Sequence, residues 1–128
     1  MSGNLQNWSG HHTFSASRVH QPATVAEVQE IVSGSNKVKV IGSRHSFNDI
    51  ADSVEDIISL ENLDQSLAID PEGRTVTVNG GITYGRLCQE LQRAGYAIHN
   101  MASLPHISVA GAVATATHGS GDKCANLS

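Results

Sequence analysis

A helix signal runs straight into a strand signal in "PATVAEVQEIVSGSNKVKVIG", residues 22–42, and that junction confines the chain to folds that mix the two. Thr24 followed three residues later by Glu27 reads as a capping box, and Val25, Val28, Ile31 and Val32 share one helical face. Gly34 supplies a stop. Lys37 and Lys39 then alternate with Val38, Val40 and Ile41, the period of a short strand, and Gly42 ends it.

The rest of the chain keeps to the mixed pattern. "EDIISL" suits a second strand, and "SLAIDPEGRTVTVNGG" places two alternating segments around Asp70-Pro71-Glu72-Gly73, the residues of a type I turn. A hairpin follows from that pattern. In "TYGRLCQELQRAG" Thr83 is a candidate N-cap, Leu87 and Leu91 stand one turn apart, and Gly95 ends the helix. The class is therefore α+β or α/β, with a soft boundary expected near Glu61 to Ser66.

Bulk properties narrow the function. A chain of 128 residues is the size of one domain or of a piece of a larger one. A formal net charge of −4 with scattered Lys and Arg argues against nucleic acid and membrane surfaces as partners. Cys88 and Cys124 form no C-x-x-C pair, and "MSGNLQNWSG" lacks the basic and apolar regions of a leader, so a reducing, cytoplasmic setting is expected. The uncharged stretch from Asn100 to Gly121 is built from small and polar residues rather than a membrane-spanning apolar run. "GSGDKCANLS" closes the sequence as loop, which reads as a truncation.

Two segments invite chemistry. "GSRHSF" follows a strand yet fits neither G-x-G-x-x-G nor the P-loop, so the usual nicotinamide and ATP fingerprints fail by residue type. His45 sits there just past a strand end, where neighbouring backbone N–H groups can also meet a phosphate. In "SLPHISVAGAVATATHGSG" Gly and Ala leave room for a pyrophosphate to approach the backbone; tight packing of a small-residue helix on a sheet explains the same composition. The seven histidines show no H-x-x-x-H or Cys-His cluster, so no metal site is assigned. A Ser-His-Asp hydrolase lacks its G-x-S-x-G.

Taken in order, "IGSRHSFNDIA", "RTVTVNGGITYGRLCQELQRAGYAI" and "NMASLPHISVAGAVATATHGSG" resemble the FAD-binding domain of the vanillyl-alcohol oxidase (PCMH-type) superfamily, most of all its alditol (xylitol) oxidases, with sugar-1,4-lactone oxidases as relatives. The resemblance covers nearly the whole chain. It implies an α+β fold of two subdomains holding FAD between them, residues 1–60 and the partial 61–128, with the substrate-binding cap domain of full-length members absent.

It also implies roles. His45 is covalently bonded to the flavin 8α carbon, a bond that a neutral imidazole nitrogen can form and a protonated one cannot. Val40, Ile41, Gly42, Ser43, Arg44 and Ser46 wrap the cofactor, and Ser108, Gly111, Ala112, Val113 and Ala114 close over its pyrophosphate. Ser103 lies at the flavin's reactive side, within reach of a substrate hydroxyl. His118 either shapes the "THGSG" loop or contacts the cofactor; His99 and His106 receive no role. Several relatives carry Gly where this chain has Arg44, and an arginine there either pairs with phosphate or points to solvent.

The activity implied is oxidation of an alditol such as xylitol or sorbitol, by hydride transfer to FAD and then to O2, giving H2O2. No catalytic residue is assigned within this chain, because the family's substrate-activating residues lie on the cap. An aldonolactone oxidase of the D-arabinono-1,4-lactone or L-gulonolactone type, a dehydrogenase with another acceptor, a catalytically silent flavin-binding fragment, and an interaction domain without cofactor are the alternatives.

Overall fold

The computed structural model describes residues 5–127, which divide after Asp64 into two compact units. Each is described by itself.

In the first unit β1 (Arg18–His20), β2 (Val38–Ile41) and β3 (Asp56–Ser59) form a parallel sheet in the order β1-β3-β2. The helix α1 (Val25–Gly34) is the crossover that parallel strands require. Thr24 caps it as the sequence indicates, accepting from the Glu27 N–H at 3.2 Å, but Glu27 returns its bond to the Ala23 N–H at 2.7 Å, one residue earlier than the standard box. The expected apolar face is only partly covered: Val28 and Ile31 are half-buried while Val25 and Val32 stay exposed. β3 is the central strand and is buried throughout, which suits its Ile57 and Ile58. It also carries a buried charge, Asp56.

In the second unit β4 (Leu67–Asp70) and β5 (Thr75–Val78) pair as the expected antiparallel hairpin, Asp70 facing Thr75. The turn differs in detail. Asp70 accepts the Glu72 N–H at 3.0 Å, and the left-handed residue is Arg74 (φ 51°) rather than Gly73. A Cβ at Gly73 would come 2.6 Å from the Asp70 carboxylate, which would have to shift from its bond to the Glu72 N–H.

The helix α2 (Tyr84–Arg93) buries Leu87 and Leu91 with Ile82, and Leu67, Ile69, Val76 and Val78 of the hairpin pack against them. Each such side chain contributes about 1.5–3 kcal/mol when removed from water. Gly95 (φ 83°) ends α2 as expected, with the Tyr96 N–H on the Leu91 carbonyl and the Gly95 N–H on the Gln92 carbonyl. A second cluster joins Tyr84, Ala102 and Ala112, the last from α3 (Val109–Ala114).

Candidate functional site

β2 ends at buried Ile41, and the chain turns through Gly42 and Ser43 into Arg44, whose φ of 62° lies in the left-handed region that favours glycine. This explains why glycine suits the position before the histidine. Here arginine occupies it, and its Nη1 donates to the Gln6 carbonyl at 2.9 Å.

Gln6 belongs to a strap, residues 5–14, that no local sequence signal marks. It folds on itself through the Asn7 N–H on the His12 carbonyl at 3.0 Å, the His12 N–H on Asn7 Oδ1 at 3.0 Å and the Phe14 N–H on the Leu5 carbonyl at 2.8 Å. It then grips the loop after β2. The Trp8 N–H donates to the Arg44 carbonyl at 2.8 Å, and buried Asn7 donates from Nδ2 to the Ser46 carbonyl at 2.8 Å. Between those anchors the half-buried imidazole of His45 stacks on the Trp8 indole, centroids 5.0 Å apart and planes 21° apart.

Two carboxylates organise the first unit: Asp52 holds the strap, and Asp56 lies at the other end of β2 from the loop, beside Val38. Asp52 accepts from His12 Nε2 at 3.1 Å and from the Ser15 hydroxyl at 2.8 Å and N–H at 2.9 Å. Burial opposes its charge, but the bonds from Ser15, Ser53 and His12 prevail and set its titration below the usual carboxylate value. Asp56 accepts from Arg18 Nε at 2.7 Å and Nη2 at 2.8 Å and from His20 Nε2 at 2.7 Å. Arg18 first and His20 next hold its carboxyl far below the usual range.

In the second unit the segment 100–119 is fixed mainly by backbone. The first turn of α2 donates to it, Tyr84 N–H to Ile107 at 3.0 Å and Gly85 N–H to Pro105 at 2.6 Å, which satisfies donors the helix itself leaves unpaired. A Cβ on Gly85 would meet that Pro105 carbonyl at 3.0 Å. The Val109 N–H is taken by the Ile82 carbonyl at 2.9 Å, and buried Ser108 is the N-cap of α3. Buried Asn100 ties the ends together: its Oδ1 accepts the Gly119 N–H at 2.9 Å and its Nδ2 donates to the Ala125 carbonyl at 2.7 Å.

Of the residues picked from sequence, Val40, Gly42 and Arg44 are exposed, Ser43, His45 and Ser46 half-buried, and Ile41 buried. In the second unit Ser103 and Ala114 are exposed, Gly111 and Val113 half-buried, and Ser108 and Ala112 buried. The Ala112 methyl packs on Tyr84 and Ala102, and its N–H is taken by the Ser108 carbonyl at 3.1 Å, so it shapes the turn rather than offering a group to a ligand. A Cβ on Gly111 would come 2.9 Å from Ser108 Oγ, so the Ser108 hydroxyl packs against the bare Cα of the glycine in the first turn of α3. His118 is exposed and its Nδ1 donates to the Gly119 carbonyl at 2.8 Å, a loop-shaping bond. The residues sequence reasoning missed around the loop are Asn7, Trp8 and Asp52, whose partners lie 36 to 40 positions away; it missed Asp56 as well, which anchors β1 rather than the loop.

A family model described as FAD binding domain matches residues 16–127, and the chain belongs to that family. It is 46% identical over 124 residues to the alditol oxidase of a Streptomyces species, covering 94% of this chain and 30% of that protein. The L-gulonolactone oxidase of Mus musculus is 33% identical over 123 residues, 93% of this chain and 28% of that protein. For the L-gulono-1,4-lactone dehydrogenase of Mycobacterium tuberculosis the figures are 33% over 132 residues, 100% and 31%. The chain thus spans about 30% of the length of these relatives.

Among solved structures, cholesterol oxidase from B. sterolicum matches with a TM-score of 0.77 at 21% identity, over 89% of this chain and 23% of that one. A variant of the Physcomitrella patens BBE-like 1 protein matches at 0.74 and 22%, over 86% and 25%. Those likenesses show the fold, an α+β domain, and the matching family model makes it an FAD-binding one. Among the described residues no helix is long and apolar enough to cross a membrane.

Proposed function

We propose that this chain is the FAD-binding part of a carbohydrate oxidase that oxidises an alditol, with FAD bonded covalently through His45. The 46% identity to an alditol oxidase across nearly the whole chain carries this reading. The residues fit the cofactor. A strand end presents His45 on a loop pinned at Arg44 and Ser46, and the small residues Ala110 and Gly111 in the first turn of α3 would let a diphosphate approach the backbone. When bound, FAD supplies the two-electron acceptor: an alditol RCH2OH and O2 give RCHO and H2O2.

This chain's own residues bind and orient. The loop 40–46 offers backbone N–H groups to the diphosphate, and the segment from Ser108 to Ala114 offers a second set, with His118 shaping the turn beyond. Ser103, exposed on the same segment as Gly111, would contact a substrate hydroxyl. Arg44 spends one donor on Gln6 and keeps others for phosphate or water. No general base is assigned within this chain, and proton removal from the substrate would fall to parts of the whole protein beyond the 30% that it spans.

A second reading, an aldonolactone oxidase, is favoured by the two lactone-acting relatives at 33% identity. Peroxide release from the purified protein with xylitol, sorbitol and L-gulono-1,4-lactone separates the two. Turnover of the polyols supports the first reading, turnover of the lactone alone replaces it with the second, and flavin retained without turnover of any leaves a silent cofactor-binding module. Activity that appears only with an artificial acceptor makes it a dehydrogenase.

A further inference from the structure

Trp8 has no part in the function so far, yet it is the residue stacked on His45. We infer that Trp8 is a positioning residue: it fixes the imidazole plane of His45 so that a ring-edge nitrogen is presented to the flavin 8α carbon. The inference rests on the proposed attachment at His45.

The geometry argues for orientation rather than packing. Trp8 is 65% exposed, a large apolar side chain that contributes little to a core where it stands. What it does cover is a face of the imidazole, at 5.0 Å and 21°. A stack takes up the π face and does not itself use the ring edge, where both nitrogens lie. The second side-chain torsion of histidine is broad and soft, so a contact on its face narrows the directions its edge can take.

The partners on either side are pinned as well. Asn7 and Trp8 are bonded to the carbonyls of Ser46 and Arg44, the two neighbours of His45, and Gln6 receives the Arg44 guanidinium. Indole and imidazole are therefore carried on backbones held in mutual register, the condition for a near-attack geometry. Attachment forms one N–C bond and removes the His45 N–H and one 8α C–H. The two electrons and two protons released stay on the cofactor until O2 takes them as H2O2.

The test compares wild type, Trp8→Ala and Trp8→Phe. First, NMR of the cofactor-free protein should show the His45 ring protons shifted upfield by the indole, a shift lost in Trp8→Ala and largely kept in Trp8→Phe. Second, at saturating FAD, the rate at which flavin becomes acid-stable should fall about tenfold in Trp8→Ala, with affinity for loosely bound FAD unchanged, and stay within about threefold in Trp8→Phe. Attachment by Trp8→Ala at the wild-type rate would overturn the positioning role. So would equal damage in both variants with FAD affinity lost in step, the mark of a structural residue. No acid-stable flavin in the wild type would instead remove the attachment reading, and the positioning role with it.

Discussion

The two units reach a fixed shape by different means. In the first, a short parallel sheet with an exposed helix is completed by polar bonds between residues far apart in sequence: Asn7 to Ser46, Ser15 to Asp52, Arg18 and His20 to Asp56. In the second, the hairpin and α2 close over Ile82, Leu87 and Leu91, and the loops are tied mainly by backbone. The first unit's geometry therefore depends on charge state, and the second's on filled volume. The loop that offers His45 sits in the charge-dependent unit, where hydrogen bonds aim a side chain more sharply than apolar contacts do.

The sharpest way to break that contrast is to excavate the second unit. Ile82→Ala should cost about 2–5 kcal/mol, read as a lower midpoint in denaturant, with little change in the cost between pH 5 and 8. A loss below 1 kcal/mol would mean the core is not what holds that unit.

Acid should act on the first unit. Asp52 and Asp56 both titrate below their ordinary 3.8 when folded, so their stabilisation is present above that pH and is lost as pH falls through the lowered values. The His12 and His45 ring signals should report loosening of the strap below about pH 4, before the Leu87 and Leu91 methyls respond. Asp52→Asn should shallow that pH dependence; an unchanged slope would deny the carboxylate its role.

The smallest expected effect concerns helix ends. α3 closes like α2, with the Thr117 N–H on the Ala112 carbonyl and the Ala116 N–H on the Val113 carbonyl, but Ala116 holds the left-handed position (φ 54°) that Gly95 holds in α2. Ala116→Gly should stabilise by roughly 0.5–1 kcal/mol in a thermal melt, and Gly95→Ala should destabilise by a similar amount.

What was legible in the sequence follows the same divide. Thr24, Thr83, Gly95, β2 and the hairpin at Pro71 were readable because caps, alternation and turn residues act within a few positions. β1 was not, since three residues with one half-buried side chain carry no period. The strap and the Asp56 cluster were invisible for another reason: their partners lie 36 to 40 residues apart, and nothing local marks Asn7 or Trp8 as belonging beside Arg44 and Ser46. The loop after β2 was recognised as special, and the left-handed Arg44 gives the physical reason. Half of that site, the indole against the imidazole, needed coordinates.

The most direct measurement is visible absorbance of the purified protein before and after acid precipitation, with His45→Ala alongside. Covalent attachment predicts yellow flavin that stays in the wild-type pellet and is released to the supernatant by the variant. Flavin that leaves the wild-type pellet on acid treatment, or stays in that of His45→Ala, would contradict His45 as the anchor.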